Sequence, residues 1–330
     1  MSRSGPAVVA TGSAVPATIR TNDDPIFDYL HQYPPPNQDL FEGYVQRRVL
    51  APEEQLVDLM VEAAQAALQK AALTPAEVDL LIGYASISTW EMPNDLTLVA
   101  TKLGLASTTP IVPVNSEYSN FNHALVMSDA LIAAGRGTRA LVVVGSNWSQ
   151  YVNYETPPAV SVGDGAGAAV VAASDDPGHL RIRDIASDAD PQYLGGMYVA
   201  ADPTQPPISP QTYASPVFHM NDLGVDAFKT FGMQRPPTLV QEVLARNGLA
   251  ASDVTFVGHQ TSTRLNSAWQ TALNPKVFVQ TLSTYANMTS ASIPVNLDTC
   301  ADEITTPYVA LVGLGPEPSC SVVLLERAVP

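Results

Sequence analysis

Nothing in this chain stays apolar for the roughly 18 consecutive residues that a membrane helix requires, so no transmembrane helix is expected. Basic residues are scarce as well. Lys and Arg number 16 against 32 Asp and Glu, a formal charge of −16. Nucleic-acid phosphates need Lys and Arg to displace their counterions, so no nucleic-acid partner is expected. Charge of this sign argues equally against an anionic membrane surface. Charged residues make up only 15% of the chain against 46% apolar, which describes a globular protein with an unusually neutral surface. Two cysteines, Cys300 and Cys320, cannot build a disulfide framework. No His/Cys spacing marks a metal site, and no cofactor is expected. The N-terminal Met1-Ser-Arg-Ser-Gly-Pro lacks the apolar core, roughly 7–15 residues, of a secretory signal, so a cytoplasmic location is the expectation. The 330 residues suffice for one large or two fused medium domains.

What is present reads as alternating strands and helices. Residues 7–10 form a short strand, and a Pro- and Asp-rich stretch with one short helix at 28–31 follows. The clearest helix covers 52–72, because Leu56, Met60, Ala64 and Leu68 recur every four residues and Thr74-Pro75 closes it. A strand at 78–84, a helix at 96–102 ending at Gly104, a strand at 111–114 and a helix running to Gly135 come next. Strands at 139–145 and 166–173 close this half. Leu73-Thr-Pro-Ala-Glu-Val-Asp-Leu-Leu then lines up with Leu249-Ala-Ala-Ser-Asp-Val-Thr-Phe-Val, an offset of 249 − 73 = 176. Ala168-Ala-Val-Val-Ala is likewise echoed by Ser321-Val-Val-Leu-Leu. Two βα halves, residues 1–174 and 175–330, packed as layered α/β, follow from the pattern. Between them, residues 188–222 carry Pro191, Pro203, Pro206, Pro207, Pro210 and Pro216, a density that rules out regular helix and central strand. Tyr193, Tyr198, Tyr213 and Phe218 interleave with them. This stretch is either a solvated connection or a cap whose aromatics, Phe218 among them, line a pocket.

One further absence organises the reading. The strand at 111–114 runs through a small polar turn, Ser116-Glu117-Tyr118-Ser119, into a helix, so a helix N-terminus is aimed at whatever the turn exposes. Enzymes place a nucleophile there, since free N–H groups and the helix dipole stabilise an anion. This turn has no cysteine.

Four segments, in order, carry a family resemblance: Val114-Asn115 through Phe121-Asn-His-Ala-Leu125; Gly163-Asp-Gly-Ala-Gly-Ala168; Gly258-His-Gln-Thr261; and Tyr285-Ala-Asn-Met-Thr-Ser-Ala-Ser-Ile-Pro294. The chain resembles the ketosynthase III-like branch of the thiolase superfamily, enzymes that condense acyl thioesters. The resemblance implies a thiolase-like αβαβα fold built by duplication, in agreement with the internal repeat. It places the family's cysteine on Tyr118, its histidine on His259 and its asparagine on Asn287. In the family, the histidine and asparagine stabilise the enolate formed when a malonyl unit loses carbon dioxide, an oxyanion-type role. His259 is also a candidate base toward an attacking hydroxyl or amine, and neither role needs the cysteine.

Other positions are weighed in the same way. A free phenol titrates near 10, so roughly 0.1% of Tyr118 would be ionised at neutral pH; its ring is expected to fill part of an acyl pocket or to orient a ligand. Glu117 is a candidate base if it faces the cavity. Ser116 and Ser119 read as helix caps within reach of substrate. Gly163 to Ala168 feeds a strand and not a helix, so it is expected to serve close backbone packing and not a phosphate. The Gly313-Leu-Gly-Pro-Glu-Pro318 region stands where the family supplies an oxyanion N–H. Gly315 is a candidate contact there, but Pro316 and Pro318 have no N–H to give. Residues 38–42 hold neither the tryptophan nor the arginine that grip coenzyme A in housekeeping members. The loop Trp90-Glu-Met-Pro93 falls where the family reaches into the partner's acyl pocket, which makes Met92 a candidate substrate contact and a homodimer the expected assembly.

Three functions are compatible with these residues. The favoured one is a non-condensing acyltransferase, moving an acyl group from a thioester on acyl carrier protein or coenzyme A to an amine or hydroxyl of a small molecule. It would use His259 as base and Asn287 as carbonyl donor, in secondary metabolism. The alternatives are a decarboxylase for malonyl-type thioesters and a non-catalytic partner of another ketosynthase-like chain. The housekeeping condensation is the least expected.

Overall fold

Ten strands form one mixed sheet whose order reads the same way outward from its middle. The middle pair is Gly5–Ala14 beside Leu180–Ala189. From the first, the order outward is Gly165–Ser174, Arg139–Ser146, Leu80–Ala85, Ile111–Pro113; from the second it is Ser319–Arg327, Tyr308–Gly315, Val254–Gly258, Val277–Val279. The middle strands meet only at Ala7 with Arg181 and Val8 with Leu180, so the sheet is two five-stranded blocks joined at a short seam. We propose the boundary between halves at 174/175, in the turn that crosses this seam. The computed structural model describes residues 5–35, 40–202 and 215–327.

The outer strands of each block pair in parallel, Leu80–Ala85 with both neighbours and Val254–Gly258 with both of its own. Parallel neighbours need crossover connections, which the helices supply. Helices Asn120–Ala133 and Ser292–Thr299 lie between the blocks: Phe121, Leu125, Ile293 and Leu297 share one buried cluster with Ile82, Val142, Val257 and Leu311. Helix Leu56–Lys70 covers the outer face of the first block with Leu96–Leu103. Met233–Arg246 and Thr263–Leu273 cover the second. The layers are therefore αβαβα, a thiolase-like fold.

Local details depart from expectation for identifiable reasons. The first long helix starts at Leu56, since Gln55 is extended and Glu54 folds back to accept from the Ala51 N–H at 2.7 Å. The stretch before Asn287 is a strand only at Val277–Val279; Leu282–Tyr285 is a short helix. Gln260 ends the strand by accepting from the Thr281 N–H at 3.1 Å and donating to the Ala286 carbonyl at 3.2 Å. In the proline-dense stretch, Met197–Asp202 pairs with Ser215–Met220 as a hairpin outside the central sheet. Pro203, Pro206, Pro207, Pro210 and Tyr213 lie outside the described residues, as do residues 38 and 39 of the 38–42 region. The glycines of the 163–168 segment serve close packing: a Cβ at Gly163 would fall 2.4 Å from the Tyr285 carbonyl oxygen, and one at Gly167 2.5 Å from Pro294. Both neighbours flank the loop that carries Asn287.

Candidate active site

The turn after strand Ile111–Pro113 is shaped by its own side chains. The Ser116 N–H donates to Asn120 Oδ1 at 2.5 Å, and Ser116 Oγ bonds His123 Nδ1 at 2.7 Å. Ser116 and Ser119 stand at N-cap positions, but neither caps with its side chain. His123 takes up the first. The second is fully buried, accepting from Ser321 Oγ at 3.1 Å and pressing on Gly313, where a Cβ would come within 2.4 Å of Ser119 Oγ. Ser116 lines a cavity and Ser119 does not.

Glu117 has φ +41, a left-handed conformation that turns its side chain inward beside Tyr118. Its Oε1 accepts from Ser86 Oγ and from Trp148 Nε1, both at 2.9 Å. Burial holds this carboxyl above the usual carboxylate range, partly offset by those two bonds. The Tyr118 ring stacks on His259 with centroids 4.6 Å apart and planes 6° apart. Burial, then the charges of Glu117 and Glu317, push its phenol well above 10, so it stays protonated.

His259 follows strand Val254–Gly258 and is anchored by its N–H on the Val312 carbonyl at 2.8 Å. The side chain is 1% exposed, and neither ring nitrogen has a hydrogen-bond partner among the described residues. Burial pushes its pKa down to about 3, so the ring is neutral near pH 7, with one N–H to donate. Asn287 is 7% exposed and pinned through its backbone, its N–H on the Ser161 carbonyl at 2.7 Å and its carbonyl under the Gly163 N–H at 2.9 Å. Its Oδ1 accepts from the Thr289 N–H at 2.9 Å, which fixes the side-chain amide and leaves Nδ2 as a donor. Left-handed Ala286 and Thr289 flank it, at φ +55 and +43.

These side chains border two adjoining cavities. His259 and Asn287 line an inner pocket of about 70 Å³ with Thr261, Thr289 and Gly315. Ser116 and Glu117 line an outer cleft of about 690 Å³. Tyr118, Trp148 and Phe218 line both and form the wall between them. Met92 lines neither and is 86% exposed. Both cysteines are buried in the fold, Cys320 in its last strand, and neither lines either of these two cavities. Sequence reasoning missed Trp148, the residue that bonds Glu117 and completes the wall; the signal was an aromatic two residues beyond a fully buried strand.

Comparison with known proteins shows the family of the chain. A family profile described as 3-oxoacyl-[acyl-carrier-protein (ACP)] synthase III matches residues 114–191, and its C-terminal counterpart matches 244–324. The β-ketoacyl-[acyl-carrier-protein] synthase III of Neisseria meningitidis serogroup B is 31% identical over 301 residues, 88% of this chain and 89% of that protein. The chain belongs to the 3-oxoacyl-[acyl-carrier-protein] synthase III family. β-Ketoacyl-[acyl-carrier-protein] synthase III 4 of Streptomyces coelicolor is 30% identical over 320 residues, 93% of this chain and 94% of that protein. The crystal structure of the Aquifex aeolicus synthase III superposes with a TM-score of 0.81 at 25% identity, covering 98% of this chain and all of that one. The family is one of enzymes, and this chain has Tyr118 on its turn. No helix among the described residues is long and apolar enough to cross a membrane.

Proposed function

We propose that this synthase III family member is a non-condensing acyltransferase, moving an acyl group from a thioester to a nucleophile on a small molecule. One observation carries the reading: His259 and Asn287 line one pocket whose wall is Tyr118, with no thiol on it. In this reading Tyr118 stands where the family has its nucleophilic cysteine. The thioester carbonyl oxygen sits between the His259 N–H and the Asn287 amide, and the acceptor attacks the carbonyl carbon directly. A histidine held near 3 is poorly matched to base work at neutral pH, so the base role expected for His259 gives way to a donor role. The thioester is borne by acyl carrier protein or coenzyme A, needs no further cofactor, and belongs to secondary metabolism. A malonyl decarboxylase is the second reading, favoured by the same neutral donor pair, which suits an enolate oxygen. Incubation with a panel of acyl and malonyl thioesters separates them. Acyl transfer to added nucleophiles supports the first, and carbon dioxide release without transfer supports the second.

Tyr118 is expected to carry no acyl group during turnover. Covalent catalysis needs an ionised nucleophile with an oxyanion hole, and this phenol is held protonated beside a loop with Pro316 and Pro318. Tyr118→Phe should keep substantial activity, and Tyr118→Cys should not by itself restore condensation. Intact-protein mass spectrometry after quenching with a reactive thioester decides the point. An adduct mapping to Tyr118, lost together with activity in Tyr118→Phe, would overturn direct transfer.

The proposal includes a homodimer in solution, with the exposed Met92 loop reaching the second subunit. Light scattering at micromolar concentration should give about twice the 35.0 kDa chain mass; the single-chain mass would refute it.

A further inference from the structure

The inner pocket, at about 70 Å³, has room for a few waters or one reacting group, so a small-molecule acceptor cannot sit in it whole. The outer cleft, at about 690 Å³, falls within the range of ligand sites. Its chemistry is one-sided. Glu91, Glu117 and Glu317 line it, and no Lys, Arg or His does so among the described residues. None of the three carboxylates is ion-paired among the described residues. His123 stands behind Ser116 and is kept neutral by burial.

Tyr84, Trp90 and Tyr198 line the same cleft, the Tyr198 ring stacked on His219 with centroids 5.0 Å apart. Aromatic rings with unpaired carboxylates attract a cation and disfavour a phosphate or a second carboxylate. A separate observation marks the far side of the wall: His259, unpartnered at both ring nitrogens among the described residues, stacks against the Tyr118 ring that borders the cleft. The cleft therefore ends at the wall of Tyr118, Trp148 and Phe218 that separates it from the donor pair.

Building on the acyltransferase reading, we propose that the outer cleft takes an ammonium-bearing acceptor, a primary amine on a small, partly apolar molecule, and that Glu117 receives the proton the ammonium gives up. The Glu91 and Glu317 carboxylates hold the incoming charge near the rim. Glu117 is the deeper base, and its raised affinity for a proton suits that exchange. The ammonium passes one proton to Glu117, and the freed lone pair forms the C–N bond at the thioester carbonyl carbon. The carbonyl π pair moves onto oxygen, held by His259 and Asn287. When that pair returns, the C–S bond breaks and the departing thiolate takes the second proton from nitrogen. The products are an amide, a thiol and one proton on Glu117, with no oxidation or reduction.

The test uses benzylammonium and benzyl alcohol as probes, titrated calorimetrically into the full chain at pH 7. Benzylammonium should bind about tenfold more tightly or better. The preference should shrink in Glu91→Gln and Glu317→Gln, both surface changes that leave the fold intact by circular dichroism, and should weaken with salt. Equal binding of the two probes, or a preference untouched by both variants, overturns the cleft assignment. Acyl transfer from S-butyrylpantetheine to the same two probes is then followed. Glu117→Gln should lower transfer to benzylamine by on the order of 10²-fold, more than it weakens probe binding. If benzylammonium binds as expected and no acyl group moves with any thioester, the transferase reading falls while the cleft assignment stands. If benzyl alcohol is acylated as fast as benzylamine, the cleft assignment falls while the transferase reading stands.

Discussion

Replacing His259 with alanine is expected to lower turnover by on the order of 10²–10³-fold, and Asn287→Ala by a similar factor, with both proteins folding normally. Each removal takes one hydrogen-bond donor from a carbonyl oxygen that becomes negative as the acceptor attacks. Such donors are worth more in a dry pocket than in water, and both side chains here are buried. Asn287→Asp is the sharper variant. It keeps the shape, replaces the Nδ2 donor by an acceptor and adds negative charge next to a developing anion, so its loss should equal or exceed that of alanine. Rate profiles against pH test the donor role separately. With His259 held near 3, kcat/KM should show no ionisation near 6.5 that disappears in His259→Ala. Full activity in either alanine variant, on a substrate the native protein turns over, would falsify the assignment.

Gly83→Ala is expected to cost about 3 kcal/mol or more, the upper end of overpacking effects, and to leave little folded protein. Gly83 lies mid-strand in Leu80–Ala85, and an added Cβ would sit 1.7 Å from the carbonyl oxygen of Val143, its register partner. The strand cannot slide away, because the Gly83 carbonyl also accepts from the Val114 N–H at 2.9 Å on its other side. The same strand leads to Ser86, so a survivor would also misplace the hydroxyl that Glu117 accepts from. Gly104→Ala is the control: φ is +70 there, but nothing lies within 4 Å, and only the smaller backbone cost of roughly 1 kcal/mol is due. Thermal unfolding of the two variants makes the comparison; equal melting temperatures would sink the steric explanation.

Much of the fold was legible because its signals are local. The repeat shows why: in both copies a carboxylate folds back onto a backbone N–H, Glu77 onto Thr74 and Asp253 onto Ala250, each at 2.9 Å, before a buried strand begins. His259 and Asn287 were readable as candidates only through the family resemblance of their segments, since a histidine at a strand end and an asparagine in a turn are by themselves ordinary; both line one pocket. What escaped was set by distant partners. His123 takes the hydroxyl that would have capped the helix at Ser116, and Ser321 with Gly313 hems in Ser119. A positive φ at Glu117 brings two adjacent side chains to one cavity system, against the ordinary divergence of neighbours at a turn. Gln260 converts the end of an apolar run into a short helix.

The seam between the blocks has a mechanical consequence. Tyr118 belongs to one half, His259 and Asn287 to the other, and the sheet ties the halves through only two register positions. Their alignment therefore rests on the backbone bonds that tie Asn287 to Ser161 and Gly163 and on the two central helices, whose Phe121, Leu125, Ile293 and Leu297 interlock within one buried cluster. A methylene added or removed there would shear one half against the other and reach the Tyr118–His259 stack without touching it. In this protein, the filling of the core is also an adjusting screw for the gap between Tyr118 and His259.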